Sequence, residues 1–114
     1  IDGEGQGERP ALGDRVFVHY EIYLLDGKLI DTSIELVARN HDIFSNSRPY
    51  DPFDFVIDGG TVIEGFNIGT KQLRVGGSGT FLIPSVLAYR DEGNFAVPAN
   101  ANLRCRVTLM KVQD

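Results

Sequence analysis

The stretch from Pro52 to Gly69, P-F-D-F-V-I-D-G-G-T-V-I-E-G-F-N-I-G, constrains the fold more than any other part of the chain. Phe53, Phe55 and Ile57 alternate with Asp54, Val56 and Asp58, the period-two pattern of a strand with one buried face. Gly59-Gly60 interrupts that strand. Val62, Ile63 and Phe66 then fall at helical spacing and predict a helix of about two turns, ending near Gly69 where a left-handed cap favours glycine. The aromatic face of a strand is thereby set beside a helix that carries a further aromatic.

Three other segments alternate in the same way. Arg15 to Tyr23 places Val16, Val18, Tyr20 and Ile22 on one side, with Phe17 and Tyr23 on the other. Thr80 to Pro84 offers Phe81 and Ile83, and Leu103 to Val112 offers Leu103, Cys105, Val107 and Leu109. One short helix against a curved antiparallel sheet is the simplest packing that buries all these faces, an α+β architecture. On pattern alone the aromatics read as core.

A chain of 114 residues is one domain, long enough to build a core without disulfide or metal. Its net charge of −5, with the basic residues scattered, argues against a nucleic-acid surface or an anionic membrane. No apolar run is long enough to span a bilayer, so direct membrane insertion is not expected. Cys105 is the sole cysteine, which excludes an internal disulfide and leaves the redox compartment open. The chain opens on Ile1 and not on methionine, so an upstream segment is expected.

In order along the chain, residues 1–13 are glycine-rich and predict an extended arm, the least ordered part, ahead of a domain over 14–114. Asp26-Gly27 marks a hairpin turn, with Lys28 to Asp31 returning as a strand. Thr32 and Glu35 have the spacing of a capping box and predict a short helix from Ser33 to Arg39, stopped near Asn40. His41 to Asp51 reads as loop. Gly76-Gly77 and Gly79 suggest a bend before Thr80. Ser85 to Tyr89 predicts a single turn presenting Tyr89, and Arg90 to Asn102 a long surface loop of the kind that often carries function.

Familiar catalytic constellations are missing. His19 and His41 lack metal-ligand spacing, so no metal site is predicted, and no serine elbow or phosphate loop occurs. Cys105, among hydrophobes on an inward strand face, reads as a small apolar residue and not as a nucleophile. What remains is an apolar, aromatic pocket with few polar groups, the general form of a small-ligand or peptide site.

Several motifs in register then resemble one family. Val18-His19-Tyr20, Leu25-Asp26-Gly27, Ile30-Asp31-Thr32-Ser33, Pro52-Phe53-Asp54-Phe55, Val62-Ile63-Glu64-Gly65-Phe66, Ile83-Pro84 with Leu87-Ala88-Tyr89, and Val97-Pro98 with Leu103 are similar to successive signatures of the FKBP-type peptidyl-prolyl cis-trans isomerases. The resemblance runs from about Gly13 to Val112. It implies a curved antiparallel sheet of five to six strands wrapped around one short helix, with the active site between them. Carried over, Tyr20, Asp31 and Tyr89 would be the catalytic groups, with Ile30, Phe53, Val62, Ile63, Phe66, Val97 and Cys105 binding substrate and Phe66 as the floor. Phe55 would belong to the core.

The function implied is acceleration of rotation about X-Pro bonds during protein folding, a chaperone-like role, without cofactor or metal. Partners would be proline-containing polypeptides and macrolide inhibitors of the family, and a monomer is expected. The alternative is a weakly active or inactive module of the same fold that binds proline-containing partners. Departures from the family pattern are Phe66 in place of tryptophan, Ile30 and Cys105 in place of phenylalanines, and Ile22 and Arg90 in place of glycines. The segment 34–51 is longer than in compact members and would lie at the pocket rim. It resembles bacterial cell-envelope relatives, so the reading leans to the bacterial periplasm or envelope.

Overall fold

The structure, a computed structural model, describes residues 2–90, 92–93 and 97–113. Its framework is two long strands, β1 (Arg15–Leu24) and β5 (Leu103–Gln113), antiparallel along the whole length of β1. The remaining strands are β2 (Leu29–Thr32), β3 (Phe53–Val56) and β4 (Ser78–Ile83). β4 pairs with the far side of β5, while β3 and β2 share the other edge of β1, at its first and second halves respectively. The result is a five-stranded antiparallel sheet.

Alternation in β1 and β5 sends Val16, Val18, Tyr20 and Ile22, with Leu103, Cys105, Val107 and Leu109, into one continuous core. Against it pack Phe55, Ile57, Leu73 and Phe66 of the helix α2 (Glu64–Lys71). A second short helix, α1 (Glu35–Asn40), lies in the connection from β2 to β3, and a 3-10 turn at Ser85–Leu87 follows β4. No helix among the described residues is long and apolar enough to cross a membrane.

Three local expectations are corrected. α2 begins at Glu64, so Val62 and Ile63 precede it, and it continues past Gly69 to Lys71. Gly69 is not a cap. It lies inside the helix, where a Cβ would come within 2.8 Å of the Phe81 ring, and one turn earlier a Cβ on Gly65 would lie 2.3 Å from Ile83 Cγ2. Glycine at both positions lets the helix axis approach β4 closely. β4 itself starts at Ser78, and Gly79 within it likewise leaves room for the Phe81 ring.

The Thr32–Glu35 capping box does not form. α1 has no side-chain cap at its start, and Glu35 pairs instead with Arg39. Thr32 Oγ1 donates to the Tyr20 carbonyl at 2.6 Å and accepts from the Ile34 N–H, so the hydroxyl is spent on the sheet.

Residues 2–8 are tied to the sheet edge. Ser78 N–H donates to Gly3 O, Gly7 N–H to Val75 O and Val75 N–H to Glu8 O. Asp2 adds a hydrogen bond from Thr80 and an ion pair with Arg106.

Candidate active site

The end of β2 grips Tyr20 at three points. Ser33 Oγ accepts from the Tyr20 N–H at 2.8 Å, Thr32 Oγ1 and the Ser33 N–H both donate to its carbonyl, and Asp31 Oδ2 accepts from its hydroxyl at 2.8 Å. Ser33 Oγ also bonds His19 Nδ1, which gives that histidine a structural place on the opposite face of β1. The Tyr20 ring is therefore held by backbone and tip together.

Around that ring the aromatics assemble edge to face. Tyr20 lies 5.7 Å from Phe66 at 90° and 5.8 Å from Phe53 at 70°. Phe55 completes the set, 5.5 Å from Phe66 and 5.9 Å from Phe53. The two Tyr20 pairs are edge to face, positive edge to negative face, whereas Phe55 lies tilted at 58° on Phe66 and stacked at 26° on Phe53. Phe55 and Phe66 are buried, whereas Phe53 is 40% exposed and forms part of the opening.

A cavity of about 320 Å³ opens over these rings, lined by Tyr20, Ile22, Asp31, Phe53, Thr61, Val62, Ile63, Phe66 and Tyr89. Seven of the residues singled out from the sequence thus come together: Tyr20, Asp31, Tyr89, Phe53, Val62, Ile63 and Phe66. Tyr89 arrives after the 3-10 turn, and Arg90 behind it takes a left-handed φ of +54°. Ile63 occupies the position before α2, its carbonyl accepting from Phe66 and Asn67.

Ile30, Val97 and Cys105 do not line this space. Val97 and Cys105 are wholly buried in the core and Ile30 packs against it. The reason for Cys105 is size and register: it stands directly opposite Ile22 across β1 and β5, and the branched isoleucine takes the lining position. Burial pushes the Cys105 thiol up to about 12.

Alternation placed Ile22 on the inner face, but not at the cavity; nothing local in the sequence distinguishes Thr61. Arg48 is the other residue the motifs missed. Its guanidinium donates from Nη1 to Asp31 Oδ1 and from Nη2 to the Tyr20 hydroxyl at 3.2 Å. Burial lowers its pKa, but the bonds to Asp31 and Tyr20 outweigh that and the net shift is upward. Tyr20 is pushed up to about 12, first by burial and then by Asp31, with Arg48 opposing. At neutral pH the phenol is a fixed donor.

Arg48 belongs to the segment 34–51, which packs on itself. Phe44 and Tyr50 stack at 5.6 Å, with Arg39 over the Phe44 ring and Arg48 over the Tyr50 ring.

Comparison with known proteins agrees with this geometry. A family profile described as FKBP-type peptidyl-prolyl cis-trans isomerase matches residues 6–110. The chain is 44% identical over 82 residues to a short-type peptidyl-prolyl cis-trans isomerase of Methanocaldococcus jannaschii, covering 70% of this chain and 52% of that protein. It is 32% identical over 108 residues to FK506-binding protein 1 of Aspergillus oryzae, covering 95% of this chain and 90% of that one. The crystal structure of FkpA from Escherichia coli superposes with a TM-score of 0.78 at 34% identity, covering 97% of this chain and 45% of that chain. The chain thus spans about half the length of the archaeal relative and less than half of FkpA.

Proposed function

This chain belongs to the FKBP-type peptidyl-prolyl cis-trans isomerases, and from that premise we propose that it accelerates rotation about X-Pro bonds of polypeptide substrates in the cavity over Tyr20 and Phe66. The observation that carries the reading is the ring cluster of Tyr20, Phe53 and Phe66 at a cavity whose Tyr20 hydroxyl and Asp31 carboxylate are fixed by hydrogen bonds. Among the described residues, no serine, cysteine, lysine or histidine lines it.

Such a site suits a reaction that makes and breaks no covalent bond. The barrier to amide rotation is ~18–20 kcal/mol because resonance gives the C–N bond double-bond character. The planar, resonant form is dipolar and water stabilises it more than it stabilises the twisted form. An X-Pro amide moved onto a dry ring surface loses that preferential solvation, so the barrier falls, and fixed donors lower it further where charge shifts during the twist.

In this reading the proline ring rests on Phe66 between Tyr20 and Phe53. The Tyr89 hydroxyl and the Ile63 N–H donate to substrate carbonyls and decide which side of the bond turns. Asp31 orients the Tyr20 hydroxyl and faces the twisting carbonyl without moving a proton. The 34–51 segment stands at the rim and supports Asp31 through Arg48.

The test is the exchange rate of an X-Pro peptide with and without the protein. Acceleration that drops in Tyr89→Phe and in Asp31→Ala supports the isomerase. Binding of the peptide at the uncatalysed rate, which is slow enough to be followed directly, would make the domain a module that holds proline-containing partners.

A further inference from the structure

We propose that Asp58 is a positioning residue for the isomerisation: it clamps the turn after β3 onto α2 and so holds Thr61, Val62 and Ile63 in place as one wall of the cavity. This rests on the isomerase reading of that cavity.

Between the end of β3 and the start of α2 the chain crosses residues 57–63 without a helix or strand. Ile57 is buried and its N–H donates to the Asp14 carbonyl. Beyond Gly59, the N–H groups of Gly60, Thr61, Val62 and Ile63 donate no backbone hydrogen bond among the described residues. Packing replaces only part of that hold. Val62 and Ile63 touch the core, yet Val62 lines the cavity over Phe66 on one side and, on the other, an open cleft of about 410 Å³ that also meets Asp58, Gly60, Asn67 and Lys71. The segment is a thin wall with space on both faces.

Its two ends are secured on one helix residue. The Asn67 N–H donates to the Ile63 carbonyl at 3.2 Å, while the Asn67 side chain accepts from the Asp58 N–H at 2.9 Å and donates to Asp58 Oδ1 at 2.7 Å. Lys71, one turn along the same face of α2, donates to both Asp58 carboxylate oxygens at 3.2 and 3.1 Å. Hydrogen bonds from Asn67 and then Lys71 hold the Asp58 carboxyl below its ordinary 3.8. Asp58 itself sits at φ +60°, a left-handed conformation that favours glycine. A side chain kept at such a position is accounted for by what it binds. The wall it braces ends at Ile63, the donor assigned above to a substrate carbonyl, and a displacement of about 1 Å in such a group can cost ~100-fold in rate.

Asp58→Gly leaves the left-handed backbone unstrained and removes the clamp. With an X-Pro peptide followed by exchange NMR, turnover per bound peptide should fall roughly tenfold while affinity stays within about threefold, the mark of lost alignment and not of lost surface. Backbone 15N relaxation should show Thr61, Val62 and Ile63 more mobile than in wild type, with β1 unchanged. Asp58→Asn tolerates the left-handed region and can still accept from Asn67, so it should restore most of the turnover. Asn67→Ala cuts the same clamp from the helix side and covers the case where Asp58→Gly fails to fold.

Unchanged turnover per bound peptide in the folded variants, or unchanged mobility of residues 61–63, overturns the inference while wild-type turnover stands. Peptide bound by wild type without turnover overturns the isomerase reading instead, and the mobility of residues 61–63 then decides by itself whether Asp58 braces the wall.

Discussion

Arg48 reaches back across the β2–β3 connection to place one guanidinium nitrogen on Asp31, at 2.5 Å, and the other on the Tyr20 hydroxyl, at 3.2 Å. The carboxylate that faces the cavity is thus paired, and the phenol beside it is held as donor to Asp31 and acceptor from Arg48. Both ion-pair members are more than a third exposed, so the pair itself adds little to stability, ~0–1 kcal/mol after solvent screening. Its consequence is positional.

That division gives opposite effects on one observable. In Asp31→Asn the Tyr20 pKa should fall from about 12 toward its ordinary 10.0, since the anionic acceptor is lost and only burial still raises it. In Arg48→Met it should rise, because Arg48 lowers it. Residue-resolved NMR titration of the tyrosine ring carbons measures both, and a shift of the same sign in both variants would refute the network as described.

Gly65→Ala should destabilise the domain even though alanine is the better helix former. The added methyl would lie 2.3 Å from Ile83 Cγ2. Overpacking of this kind costs ~1–3 kcal/mol against ~1 kcal/mol of helix propensity gained, for a net loss of about 1 kcal/mol. Denaturant unfolding reads the difference. A stabilised variant would mean that α2 does not sit so close to β4.

Arg90 adopts φ +54° immediately after Tyr89, with its N–H bonded to Ser85 O and its carbonyl to Asn100 N–H. Among replacements that remove the side chain, Arg90→Gly should be more stable than Arg90→Ala by about 1 kcal/mol, the cost of a Cβ in the left-handed region. Equal unfolding midpoints would show that the backbone relaxes there.

Tyr20 and Cys105 both titrate at about 12 in the fold, against ordinary values of 10.0 and 9.0. The folded chain keeps protons that the unfolded chain releases. Their contribution to stability is therefore complete below pH 9 and is lost as the pH rises from 9 to 12. Denaturant midpoints should fall across that window. At mildly alkaline pH a disulfide reagent should modify Cys105 only as fast as the domain opens, and rapid labelling of native protein would contradict its burial.

The strands and the ring cluster were legible from the sequence because both follow from local period. Alternation in β1 and β5 named the core faces, and the Pro52–Gly69 pattern set Phe53 and Phe55 beside Phe66, where Phe53 and Phe66 also meet Tyr20. What escaped were relationships set by distant partners. Gly69 resembles a helix stop until the Phe81 ring is seen against it, and Thr32 resembles a cap until the Tyr20 carbonyl takes its hydroxyl. Arg48 lies in a loop whose own residues give no sign that it will reach Asp31. Cys105 and Ile22 share a face and a register, and only their relative reach decides which of them meets the cavity.

The most direct test of the account is two-dimensional exchange NMR on an X-Pro peptide with a catalytic amount of the domain. The account predicts cis-trans exchange well above the buffer rate, unaltered from neutral to mildly alkaline pH because no proton is transferred, and reduced in Tyr89→Phe. Exchange at the buffer rate from a peptide that binds in this cavity would contradict it.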